Sequence, residues 1–517
     1  MKVATNDFKT GALIALAYAI LAAAIMGALA SNSDVPALLD FYNHIAHIMQ
    51  AKMAWTEGQF PLRIAPLEQN GWFYPLFQFY APSSYLFTSL IYQYITPGNP
   101  YIAFKLAIWC ASFGGAIYMY RLALWMVRSR AAAFLSGMVY LTTPCCLINI
   151  NHLGAFNEAL ALGLMPSVIY YTLQRYYAPR SDKTLLQVGF VWSLLATVHL
   201  VAFFYASFFV ALLLLMVTLK SRGHVYNLLA VGLGYLFSLM LAMWYLAPIA
   251  ILSRSLIVNR TTASIIKGKY MPSLLSLLSP AANISGGEGE NGLYNVLTRI
   301  HPSVGTPIVI AVGILVYAFI HHQVRGSRRA RYWLTPLFIL FCLIFFMIWS
   351  PINFWAWLPK MFSVVQYSWR LLSQLVWIGA LFFAWAMCWL FKNKMDARHI
   401  VLCSMLILAL GSGWMSIWEM QFVRIKQLVA NPYLDIAYQD AYLMDGYKHP
   451  QLVNRVDRLR LYDLLDQRSS DYNENLLLPH RLSQKIIQAG AEPEIAIEGE
   501  VSSTAKHDMP SVHLVFK

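Results

Sequence analysis

The chain has 517 residues, of which 58% are hydrophobic and only 12% charged, and its mean hydropathy is +0.52. A soluble domain carries about 25% charged residues, so this composition excludes a soluble globular protein and identifies an integral membrane protein. The formal net charge of +14 is unevenly spread: residues 419–517 hold 11 Lys and Arg against 14 Asp and Glu, so the excess lies in the first 418. Basic residues in a membrane protein collect in cytoplasmic loops, and no basic run interleaved with aromatics points to nucleic acid.

Apolar runs of bilayer length predict eleven spans: 11–30, 101–126, 131–149, 158–175, 185–201, 202–219, 226–250, 303–320, 333–350, 372–391 and 399–418. The first is a signal-anchor in this reading; Ala28-Leu29-Ala30 looks like a signal-peptidase site, but the run before it is long enough to span. The stretch 185–219 is too long for one helix and divides at Val198-His199. The run 81–96 is set aside as a non-crossing element. The inner connections then hold 17 Lys and Arg but only Asp7, Asp182 and Asp396, whereas a twelfth crossing would turn the basic 321–331 segment outward. This map puts the N-terminus inside and the C-terminus outside, with a membrane domain over 1–418. It has a first outer loop over 31–100, a Gly-rich outer loop over 251–302, and an outer-face tail over 419–517. The Gly-rich loop reads as a lid or as a linker. The tail is predicted to be helical to about 490, followed by short strands at 494–498 and 512–515. The expected fold class is therefore an all-α polytopic membrane protein with a small α/β tail.

The long polar interruption at 31–82 is where candidate chemistry begins. Pro36 favours a helix start, after which Asp40, His44 and His47 share one face and Phe41, Ile45, Ile48 and Met49 another. The pattern suits an amphipathic helix lying on the membrane with its carboxylate and imidazoles turned away from lipid, or a surface helix capping a bundle. Asp40 leads as a general base for an acceptor hydroxyl. A divalent metal on Asp40, His44 and His47 is the alternative, a weak pattern without a further ligand.

On the same predicted side stand Glu158, His152, His199, Gln366 and Arg370, together with Arg63 in the first loop. Glu158 reads as a site carboxylate or as an acid favoured by a helix dipole. His199 reads as a site residue or a hydrogen-bonded structural histidine. Arg370 follows Gln366-Tyr367-Ser368-Trp369 and would clamp a phosphate or anchor a helix at the interface. Arg63, Arg254, Arg260, Lys267 and Lys269 would meet a lipid phosphate or anionic head groups. The six cysteines lie in or beside apolar runs and form neither a disulfide framework nor a zinc spacing, although the vicinal Cys145-Cys146 pair is able to oxidise.

The order of features resembles the GT-C superfamily of membrane glycosyltransferases. It is more closely similar to the bacterial multispan family labelled "6-pyruvoyl-tetrahydropterin synthase-related" membrane proteins. The matching stretches are Asp40-x3-His44, Gly58 to Arg63, Gly71 to Pro82, Gly154 to Glu158, His199-Leu200, and Gln366 to Arg370. The likeness runs over about residues 11–420. Similar proteins have an arginine immediately before the Gly-Ala of the fourth motif; here Leu153 stands there, beside His152.

The resemblance implies an inverting transferase at the outer face of the bacterial cytoplasmic membrane, taking a sugar from a polyprenyl-phosphate donor. Asp40 would then be the catalytic base with His44 and Glu158 beside it. Arg63, His152, His199, Gln366 and Arg370 would bind substrate or phosphate. No cofactor is implied, no nucleic acid is expected, and the oligomeric state is left open. A flippase of lipid-linked sugars would call for charges deep within spans, where Lys105 is one of few. A scaffold for envelope glycan assembly, docking through the tail, would need no clustered acid and histidine.

Overall fold

The structure, a computed structural model, describes residues 2–26, 35–36, 41–66, 75–97, 99–220, 225–252, 271–279, 283–284, 300–321, 328–392, 394–410 and 422–423. Helices occupy each of the eleven segments predicted as spans. They are α1 (Lys2–Ile25), α4 (Pro100–Val127), α5 (Arg130–Leu141), α6 (Phe156–Tyr177), α7 (Asp182–Val198), α8 (Leu200–Lys220), α9 (Val225–Leu252), α10 (Thr306–Ile320), α11 (Arg328–Trp349), α12 (Leu372–Leu390) and α13 (Ala397–Leu410). Two more, α2 (Phe41–Thr56) and α3 (Pro82–Tyr94), lie in the first loop. Among the described residues, six stretches are long and apolar enough to cross a membrane: Pro100–Val127, Arg130–Asn151, Leu200–Lys220, Val225–Ile251, Tyr332–Trp349 and Ser368–Leu390.

Local chemistry sets the breaks between them. Pro144 interrupts the helical run after α5, and the chain continues through a short turn, Pro144–Ile148, into a π-helical turn, Asn149–Leu153. Gly154 ends that turn at φ 61°, a left-handed position that costs glycine nothing. His199 is extended, with φ −157°, and separates α7 from α8. With 13 residues, α3 rises about 20 Å, well short of a hydrocarbon core about 30 Å thick. That length suits a segment that does not cross.

Helix α12 is the centre of the bundle. It is apolar on all sides, and every residue from Leu372 to Cys388 is buried, as expected when no helix face is left for solvent or lipid. It packs on α5 and α10, while α6 lies along α4, and α7 along α9. Small residues permit the closest approach: a Cβ at Gly163 of α6 would stand 2.4 Å from the Ala111 carbonyl of α4. Several polar groups within the bundle find protein partners. Tyr140 donates to the Leu162 carbonyl at 2.6 Å, Ser136 to the Ala380 carbonyl at 2.7 Å, and Trp192 to Thr172 at 2.9 Å. Rows of exposed apolar residues, such as Leu229, Leu233, Leu236 and Met240 on α9, face outward.

Two expectations change. Helix α2 is no surface helix: from His44 to Ala51 every residue is buried, because α3 and α4 cover it where the sequence pattern suggested water. The tail, expected to be helical from 419, shows Phe422–Val423 as a short strand paired antiparallel with Val35–Pro36. A second short ladder joins Asn283–Ile284 to Ile300–His301. The strands predicted at 494–498 and 512–515, and most of the Gly-rich loop, lie outside the described residues. All six cysteines are free.

Candidate active site

Three successive residues at the start of α6 build the site. Phe156 lies against His44, with ring centroids 5.7 Å apart. Asn157 donates through Nδ2 to the Tyr85 hydroxyl at 3.0 Å. Glu158 places Oε2 3.7 Å from Nε of Arg370. Its carboxylate lies in the first turn of the helix, where the dipole favours it. The π-helical turn and Gly154 aim this first turn at three other parts of the chain.

The first of these is the α2–α3 pair. Tyr85 of α3 stands with its hydroxyl 2.8 Å from His44 Nδ1 and 3.3 Å from His47 Nδ1. Tyr80 stacks parallel to the His44 ring at 6.4 Å. The backbone holding Tyr80 is clamped by Tyr245, whose hydroxyl accepts from the Ala81 amide and donates to the Phe79 carbonyl, both at 3.3 Å.

The second is the α7–α8 link. Ser83 donates to Thr197 at 2.8 Å and Ser84 to the Val198 carbonyl at 3.3 Å, which docks the start of α3 against the residue preceding His199. His199 Nδ1 accepts from the Ala202 amide at 3.1 Å, capping α8. Because Nδ1 is the acceptor, the imidazole proton sits on Nε2.

The third is the segment before α12, a chain of 3₁₀ turns from Phe354 to Leu371. Tyr205 of α8 donates to its Phe362 carbonyl, and Ser368 donates to the Ile348 carbonyl at 2.8 Å. Gln366 adopts φ 63°, uncommon for a residue with a side chain, and its side-chain oxygen Oε1 accepts from Nη1 of Arg370. Arg370 also lies over the Tyr367 ring, 5.3 Å from its centroid. Its side chain is 25% exposed, whereas that of Glu158 is 6% exposed. The cation thus faces an opening and the anion does not.

Electrostatics agree with this geometry. Burial, then the neighbouring His47 and His199, hold the His44 imidazolium well below its usual range. Burial alone takes His47 to about 3. His44 and His47 are therefore neutral at physiological pH, His199 is neutral because its Nδ1 accepts a hydrogen bond, and Arg370 is the cation of the cluster among the described residues.

Of the predicted site residues, the fold gathers His44, Glu158, His199, Gln366 and Arg370. Arg63 goes elsewhere: its Nη1 donates to the Trp244 carbonyl at 2.9 Å and the guanidinium stacks over the Trp244 ring. Asp40 lies outside the described residues. So do the side chain of His152 and the cations at 254, 260, 267 and 269. Among the described residues, no group of three His, Cys, Asp or Glu is placed to hold a metal. Leu153, at the position where the resemblance implied an arginine, is buried in the core. Sequence reasoning missed Tyr85 and Asn157. The only signal was Asn157 beside Glu158 in the fourth motif.

Composition and fold together define a polytopic, all-α membrane protein. Residues 77–294 match the family model described as the 6-pyruvoyl-tetrahydropterin synthase related domain of membrane proteins. In fold the chain is similar to the archaeal oligosaccharyltransferase AglB from Archaeoglobus fulgidus, solved with an inhibitory peptide and a dolichol-phosphate. The TM-score is 0.50 and the identity 11%, over 90% of this chain and 60% of that one. A second structure of the Archaeoglobus fulgidus oligosaccharyltransferase, with Zn and sulfate, gives a TM-score of 0.50 at 10% identity, over 91% of this chain and 58% of that one. The chain thus spans about 60% of the length of these structures. No curated protein matches the sequence.

Proposed function

We propose that the chain is a membrane glycosyltransferase that moves a sugar from a polyprenyl-phosphate donor to an acceptor hydroxyl at the outer face of the cytoplasmic membrane. The observation that carries this reading is the Glu158–Arg370 pair. A part-exposed guanidinium, held by Gln366 and a buried carboxylate, stands beside a neutral histidine that presents an N–H. Arg370 and His199 Nε2–H are both donors, and the start of α8 adds its dipole, which together suit a phosphate. A dolichol-phosphate accompanies the archaeal structure of similar fold, and a polyprenyl phosphate is the ligand class that this proposal adopts.

In the proposed reaction the acceptor oxygen attacks the anomeric carbon while the bond from that carbon to the phosphate oxygen breaks, with inversion. The acceptor proton passes to Asp40, which precedes α2 by one residue and His44 by about one helical turn. The phosphate leaves with the electron pair, and Arg370 and His199 stabilise its growing charge. The test is incubation of the purified protein with a panel of polyprenyl-phosphate sugars, scoring transfer and donor hydrolysis. Release of the phosphate carrier by the wild type and its loss in Arg370→Ala is the expected result. No turnover of any donor would overturn the reading.

A further inference from the structure

Tyr85 has one proton to give and, among the described residues, three nitrogens within hydrogen-bond reach of its hydroxyl. A phenol donates one hydrogen bond and accepts up to two. The Asn157 amide fills one acceptor position, so the hydroxyl gives its proton to one imidazole and accepts Nδ1–H from the other. The shorter contact, to His44, takes the phenolic proton. His44 then keeps its own proton on Nε2, and His47 keeps its proton on Nδ1. The reverse assignment would put a buried N–H at His47 Nε2 with no acceptor for it among the described residues. His47 Nε2 is thus a bare lone pair. It and Asn157 Oδ1 are both buried, and neither has a hydrogen-bond partner among the described residues.

Two buried acceptors joined through one phenol have a definite chemical preference. They take hydrogen bonds from hydroxyls and repel phosphate oxygens, which have no proton to give. The Arg370–His199 side of the same cluster has the opposite polarity. From this we infer that Tyr85 is a positioning residue that orients His47 Nε2 and Asn157 Oδ1 to accept hydrogen bonds from the hydroxyls of a bound sugar. The inference rests on the glycosyl-phosphate reading and deepens it. The ligand lies with its phosphate toward Arg370 and its sugar toward α2 and α3. A sugar hydroxyl supplies the partners that the two acceptors lack, and leaving such acceptors unfilled is what discriminates against a ligand without hydroxyls.

The test uses ¹⁵N-histidine-labelled full-length protein in detergent. Its probes are citronellyl phosphate alone and citronellyl phosphate carrying mannose, glucose, galactose or arabinose. Without ligand, the nitrogen signal removed by His47→Gln should be unprotonated at Nε2. If that variant does not fold, Tyr85→Phe makes the assignment, because it moves the His44 and His47 signals together. Citronellyl phosphate alone should move the His199 signal, and at least one sugar ester should move that of His47 as well. Tyr85→Phe should weaken the sugar ester about tenfold, as one lost hydrogen bond to a ligand does, and leave citronellyl phosphate within about twofold. A protonated Nε2 on His47 overturns the inference. So does a sugar ester that moves His199 alone, which means only water fills the acceptors while the donor reading stands. Silence of both histidines with every probe removes the donor reading and the inference with it.

Discussion

Glu158 Oε2 and Arg370 Nε stand 3.7 Å apart, the carboxylate buried and the guanidinium one-quarter exposed. The pair joins the first turn of α6 to the segment leading into α12, and its asymmetry has consequences for stability. Arg370→Ala takes the Arg370 cation away from a buried carboxylate, which costs about 3–5 kcal/mol. Glu158→Gln leaves a cation that still reaches Gln366 and water, and should cost less than half as much. The double variant should cost less than the sum of the two. Thermal unfolding of the three proteins in detergent checks this, and equal costs for the single variants would contradict it.

Asp40→Asn keeps size and hydrogen-bonding capacity but accepts no proton at neutral pH. The expected outcome is normal expression with transfer reduced at least about 100-fold and donor binding nearly unchanged. Transfer assays alongside donor binding measure it, and wild-type activity in Asp40→Asn would remove Asp40 from catalysis.

The buried imidazoles set a pH dependence. Folding lowers the His47 value from 6.5 to about 3 and lowers that of His44 in the same direction. Between those limits the unfolded chain binds more protons than the folded one. Stability is therefore full above about pH 6.5 and falls as the pH drops toward 3, by up to about 1.4 kcal/mol per pH unit for each histidine. Unfolding curves from pH 7 to 4 should show this decline, and His47→Gln should make it shallower. A flat profile would mean that these rings are solvated.

Gly163→Ala tests the packing of α6 on α4. Its methyl group would stand 2.4 Å from a backbone carbonyl that no rotamer change can move. A loss of about 1–3 kcal/mol is expected, the usual cost of overpacking. The same change at Gly232, where the added methyl meets nothing within 4 Å, should be neutral in packing. Comparing the two melting temperatures decides it.

The inside-to-outside order of the chain is tested by labelling single cysteines in intact cells. A probe at residue 325 should be protected from a membrane-impermeant reagent, because the proposed inner connections hold 17 basic residues. Labelling from outside would invert the orientation and move the proposed site to the other face.

The sequence by itself determined the membrane class and the positions of the helices, because a bilayer imposes a length and an apolarity that single segments display. It also singled out Glu158, His199, Gln366 and Arg370, since polar residues at the ends of apolar runs are conspicuous. Only the tertiary structure decided which of these meet. Arg63, as basic as Arg370 in the sequence, is drawn to Trp244, while Arg370 turns to Glu158. Only the tertiary structure, too, buried α2, because the covering surface comes from α3 and α4 and leaves no trace in the periodicity of α2 itself. Tyr85 was hidden for a related reason. A tyrosine in an apolar run looks like interfacial packing until three partners from two other helices arrive at its hydroxyl, and those contacts are long-range in sequence.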